Sequence, residues 1–142
     1  AFMIMKRELY NEVGGFDEEF LHGWEDIHLC WKVNRSFHTA YLPNAVIIHY
    51  SGQSSRQNLV KSSVYNYLSN ATYYNKVKGT LYSFLYKLSL LIIFIPIRLL
   101  IVILRSIRLR KDKEIIHTEL GVISLLLKTL LGRPKSGFSF ND

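Results

Sequence analysis

The sequence predicts an α/β fold over residues 1–58, followed by membrane-associated helices. Three observations lead there. Short β-type apolar runs, AFMIM (1–5), TAYLP (39–43) and AVIIHY (45–50), are interleaved with helical patterns. The composition turns strongly apolar at Leu81. The charge is divided unevenly: residues 1–75 hold 6 basic and 7 acidic side chains, whereas residues 76–142 hold 12 and 4. The 142 residues amount to one domain at most. An apolar content of 49% against 20% charged excludes a disordered or collagen-like chain. The single cysteine, Cys30, excludes a disulfide framework and a multi-cysteine zinc site.

AFMIM reads as a short buried strand. The chain opens inside this run at Ala1, with no initiator Met and no cleavable signal pattern, so a fragment or a truncated reading frame is expected. KRELYNEV (6–13) reads as a short helix, with Leu9 and Val13 four apart and Gly14-Gly15 as its stop. FDEEFLHGW (16–24) has no clean period and reads as a loop. EDIHLCWKVNRS (25–36) reads as a second helix, whose face of Ile27, Cys30, Trp31 and Asn34 is led by two carboxylates that suit the helix dipole. TAYLP and AVIIHY read as strands around a Pro43-Asn44 turn, and SGQSSRQN (51–58) as a polar loop. Residues 59–79 read as a Tyr-rich connecting helix that ends at Gly79, and residues 81–142 as a basic, apolar helical region.

The densest group of reactive side chains is HGWED, His22 to Asp26. A carboxylate pair beside an aromatic ring and a flexible glycine suits a sugar site, where the ring stacks on a pyranose face and one carboxylate takes a hydroxyl proton. The same two acids equally suit a plain helix start. His49 ends a strand-like run and fits either a metal ligand or a half-buried histidine bonded to backbone. The SGQSS loop fits a phosphate contact or an ordinary loop.

Taken together, AFMIMKRELYNEVGGFDEEF, LHGWEDIHLCWKVNR and YLPNAVIIHYSGQSS resemble the C-terminal part of the catalytic domain of family 2 glycosyltransferases, in particular their rhamnosyltransferase-like branch. The order GGFDE, ED, then His before G-Q-S carries the resemblance. It implies a GT-A fold. It also implies inverting transfer from a nucleotide-sugar donor to a saccharide or lipid-linked acceptor in cell-surface polysaccharide synthesis, with a divalent cation, Mn²⁺ or Mg²⁺. Asp26 then matches the general base and Glu25 the adjacent acid. Gly23 and Trp24 sit where the acceptor is contacted. His49 matches a histidine that completes the cation's coordination, and Gln53, Ser54 and Ser55 match a loop near the donor diphosphate. The base and the cation bracket one anomeric carbon, so Asp26 and His49 are expected to line one cleft. Two departures stand out. His28 replaces the second acid of E-D-x-D-L, and no D-x-D is present. The donor-binding half, with most of the cation's ligands, is therefore expected upstream of Ala1, and the chain by itself is not expected to bind a nucleotide sugar well.

Leu88 to Leu104 is apolar except for Ser89, Pro96 and Arg98. Its 17 residues are at the lower edge of a span across about 30 Å of hydrocarbon. Arg98 in mid-bilayer costs about 2.5–3.5 kcal/mol on insertion scales. An in-plane or re-entrant helix, a spanning helix and a buried soluble helix all remain readings of this segment. In the membrane readings the cluster Arg105, Arg108, Arg110, Lys111 and Lys113 belongs on the cytoplasmic side, as does a catalytic part supplied with cytosolic nucleotide sugars. Nucleic acid is not an expected partner, because the basic residues interleave with Leu and Ile. The competing functional class is a non-catalytic membrane-binding helical module.

Overall fold

The computed structural model describes residues 2–49, 58–108 and 113–132. Among these residues every regular element is helical and there is no strand, so the fold is helical and the expected α/β fold of a GT-A fragment is overturned. The physical reason lies in the three runs read as strands. Residues 2–5 and 39–49 form no ladder, and their side chains stand in solvent, with Ile4 79%, Val46 88% and Ile48 82% exposed. A β-type run becomes a strand only where a neighbour takes its backbone N–H and C=O groups and covers one face.

Two compact units divide the chain, Ala1–Ser83 and Phe84–Asp142. The first holds α1 (Arg7–Glu12), α2 (Glu25–Val33) and α3 (Leu59–Lys78). α1 stops at Gly14 and Gly15, both at positive φ (76° and 57°). Gly15 is obligatory twice over: a Cβ there would lie 2.8 Å from the Tyr10 ring. That ring meets Phe16 edge-on, and the Tyr10 hydroxyl accepts the Phe16 N–H at 3.1 Å. α3 starts at Asn58, whose side chain accepts the Lys61 N–H at 3.0 Å, an ordinary N-cap. The unit's core is Leu29, Val33, Val64, Tyr65 and Ala71.

α3 also organises the loop before α2. The buried Ser69 hydroxyl accepts the N–H groups of both Leu21 (3.0 Å) and His22 (3.1 Å). Near its other end Lys76 donates to Asp17 and Glu19 at 2.8 and 2.9 Å. Lys32 of α2 donates to the Gly15 carbonyl. The segment that carries no periodicity is thus held by side chains of α3, and the glycine just before it by Lys32 of α2.

Gly79, at φ 99°, ends α3 and lets α4 (Thr80–Ser89) begin at once. The buried Ser83 donates its hydroxyl to the Ala71 carbonyl at 2.9 Å. Helix continues through a π turn (Leu90–Phe94) into α5 (Ile95–Arg108). The π turn has a local cause. Pro96 has no N–H and its ring crowds the carbonyl one turn back, and a widened turn relieves that crowding without ending the helix. In the second unit α5 packs on α6 (Lys113–Leu131), with Val102, Val122, Ile123 and Leu126 buried. Arg98 of α5 is ion-paired with Glu119 of α6 and lies over the Phe94 ring at 4.8 Å.

Thr80–Ser106 is 27 residues long and contains an 18-residue stretch of mean hydropathy 2.6, so it is long and apolar enough to cross a membrane.

Candidate functional site

Gly23 and Trp24 are consecutive left-handed residues, at φ 71° and 74°. For a glycine this is inexpensive. For a bulky aromatic it is an outlier, and such strain persists only where the surroundings hold it. Here the loop is pinned on one side by Ser69, and the Trp24 ring rests on Tyr73 of α3, centroids 5.3 Å apart. A Cβ at Gly23 would fall 2.8 Å from the Asn66 amide nitrogen, so any larger residue must displace that side chain as well as adopt φ 71°.

This double turn starts α2 with its two carboxylates. Asp26 is exposed, and its Oδ1 accepts the N–H of Ile27 at 2.8 Å. Glu25 is half-buried, and its Oε2 is buried without a hydrogen-bond partner among the described residues. One acid is thus open to a ligand, and the other carries an unanswered acceptor under the surface.

Behind the pair lies a cluster for which neighbouring positions in the sequence give no signal. His28 is buried among Phe20 (5.1 Å between centroids), Trp31 (5.7 Å, stacked) and Tyr73 (6.5 Å). Its Nδ1 lies 3.9 Å from Asp17 Oδ2. Burial holds the imidazole below its ordinary value, and the nearby Asp17 carboxylate only partly offsets this. Asp17 goes the other way. Partial burial would raise it, but the hydrogen bond from Lys76, the Glu19 N–H and the Lys76 charge together keep it below the usual carboxylate range. Lys76 is raised by its bonds to Asp17 and Glu19. The residue standing where E-D-x-D-L has its second acid is therefore a neutral core histidine. The Asp of GGFDE serves to tie the loop to α3.

A shallow pocket of about 280 Å³ opens beside Gly23, lined by His22, Leu59, Ser62, Ser63, Asn66 and Tyr67. A second, of about 460 Å³, is mostly apolar and includes Met3, Met5, Tyr10, Phe16 and Leu29. Neither is lined by Asp26 or His49. His49 lies exposed in the irregular segment 39–49. Gln53, Ser54 and Ser55 fall outside the described residues. Trp24 is brought against Tyr73, Ser69 holds Leu21 and His22 just before it, and Glu25 and Asp26 follow as the first turn of α2. No set of three or more His, Cys, Asp or Glu side chains converges as a metal site among the described residues. These residues therefore do not by themselves form the site of the cation that the resemblance implies.

No family model matches the chain, and no curated protein or solved structure matches it.

Proposed function

We propose that this chain is the acceptor-side, membrane-attached part of an inverting glycosyltransferase that moves a sugar from a nucleotide-sugar donor to a saccharide or lipid-linked acceptor in cell-surface polysaccharide synthesis. The observation that carries the proposal is the strained Gly23–Trp24 turn. It sets an aromatic ring and an exposed carboxylate at the head of α2, and His22, just before the turn, lines a pocket of hydroxyl and amide groups. Stored strain of this kind clusters at ligand sites. The motif order that resembles family 2 glycosyltransferases falls on the same residues.

In this proposal Asp26 accepts the proton of the acceptor hydroxyl as that oxygen attacks the anomeric carbon. Glu25 positions the neighbouring hydroxyls. The Trp24 indole offers its face to a sugar ring, and Ser62, Ser63 and Asn66 supply donors and acceptors for hydroxyls next to Gly23. If a divalent cation is bound, His49 would be one of its ligands, and the cation would supply positive charge to the donor diphosphate. Gln53, Ser54 and Ser55 are assigned to the donor diphosphate on the resemblance alone. The catalytic part faces the cytoplasm.

The test uses membranes from cells expressing the full reading frame that contains this chain, supplied with labelled nucleotide sugars. Asp26→Asn keeps the size of the side chain and the helix start but cannot take a proton. Transfer falls by about 10²–10⁴-fold while the protein stays membrane-bound. Retention of more than about a tenth of wild-type transfer, well short of that loss, moves the base elsewhere. No transfer from any donor in the wild type favours the non-catalytic membrane module.

A further inference from the structure

The exposure pattern of the second unit separates two ways of meeting a membrane. Among the described side chains of α5 the exposed ones are Pro96, Ile97, Leu99, Leu100, Ile101, Ile103 and Leu104, followed by the polar Arg105 and Ser106. At 100° per residue these apolar positions cover roughly 200° of the wheel, and Ile95, Arg98 and Val102 occupy the remainder. α6 is different. Its exposed Lys113, Glu114, His117, Ser124 and Lys128 fall within about 100°, with Leu131 in that sector and Leu120 at its edge, while the exposed Ile115 lies near the first turn on the opposite side. Its opposite side carries the buried Val122, Ile123 and Leu126 together with Glu119. Arg98 and Glu119 thus sit on the two facing sides and are ion-paired there.

A spanning pair would place His117, Ser124 and Lys128 against acyl chains, each at a cost that nothing on α6 offsets. A water-exposed pair would leave the whole outer side of α5 uncovered. An arrangement that meets neither objection lays the pair flat. We propose that α5 and α6 lie together in the plane of one leaflet of an anionic bilayer, α5 toward the acyl chains and α6 toward the headgroups. The pairing removes the main obstacle to burying α5, because the Arg98 charge is met by Glu119 on the covered side. Arg105, Lys113 and Lys128 supply the attraction to anionic headgroups. The apolar length of Thr80–Ser106 then serves for lateral burial.

The test is a depth measurement on the full chain with Cys30→Ser, carrying a single environment-sensitive fluorophore at Leu100→Cys or at Ser124→Cys. The chain is bound to vesicles of phosphatidylcholine and phosphatidylglycerol. The label at 100 is quenched by nitroxides on the acyl chains and shielded from aqueous iodide, and the label at 124 behaves in reverse. Deep quenching at both positions establishes a spanning pair and overturns the proposal. Iodide access at both positions overturns it in favour of a soluble or protein-covered hairpin. Glu119→Gln, which removes the carboxylate facing Arg98, weakens vesicle binding by about tenfold or more, and Arg98→Met with Glu119→Met restores it. Wild-type binding by Glu119→Gln also counts against burial of the pair in lipid.

Discussion

Trp24, His28 and Ser69 each do something that their residue type alone does not disclose. A tryptophan in the left-handed region costs about 1–3 kcal/mol of local strain, and its contact with Tyr73 returns about 0.5–1.5 kcal/mol. The contact offsets about half of that cost, so the turn is held at a small net expense of stability. His28 titrates with a sign that can be worked out. Its folded value lies below the ordinary 6.5 because burial disfavours the imidazolium. The unfolded state therefore binds more protons between the two values. The stability that His28 contributes is full above 6.5 and is lost as pH falls through the folded value. Asp17 adds a similar loss only at more acidic pH, below its ordinary 3.8. Between about pH 7 and pH 5 the thermal midpoint of the first unit, followed by near-UV circular dichroism in mild detergent, is expected to drop. His28→Phe, which keeps a ring in the cluster, should flatten that drop. An unchanged slope would show that His28 is not the titrating group.

At the scale of elements, the helical periods were legible and the strands were not. α2 begins at Glu25 and α3 runs from Leu59 to the residue before Gly79, as their carboxylate start, apolar spacing and glycine stop imply. AFMIM and AVIIHY have β-type composition, yet nothing in a run of that kind specifies that a partner strand is present to take its N–H groups. The loop 16–24 shows the converse. It has no periodicity, but Ser69 and Lys76 of α3 hold it at Leu21, His22, Asp17 and Glu19. Ser69→Ala leaves two N–H groups without their acceptor and is expected to lower stability by about 1–3 kcal/mol in denaturant titration. It should also reduce transfer, by releasing the turn that carries Asp26. A neutral result would assign the loop's anchorage to Lys76 alone.

For the whole molecule, the split in charge becomes a split in environment. The first unit carries a near-balanced set of charges, several of them internally paired. Thr80–Ser106 leaves most of its apolar surface uncovered. The full chain is expected to sediment with vesicles or require detergent. Part of the binding should be lost in high salt, from Arg105 and the lysines, and part retained, from buried Leu and Ile. Complete recovery as a soluble monomer would contradict this.

The sequence by itself determined the helical segments, the apolar run after Leu81, the concentration of basic charge in the second half, and the carboxylate pair at the head of α2. These are properties of neighbouring positions, where one helical period, one glycine or one dipole suffices. Only the tertiary structure decided that the β-type runs stay unpaired, that Asp17 answers to Lys76, that His28 is a neutral core residue, and that Arg98 meets Glu119. Each of these depends on groups distant along the chain, and their meeting depends on how the helices pack rather than on any local pattern.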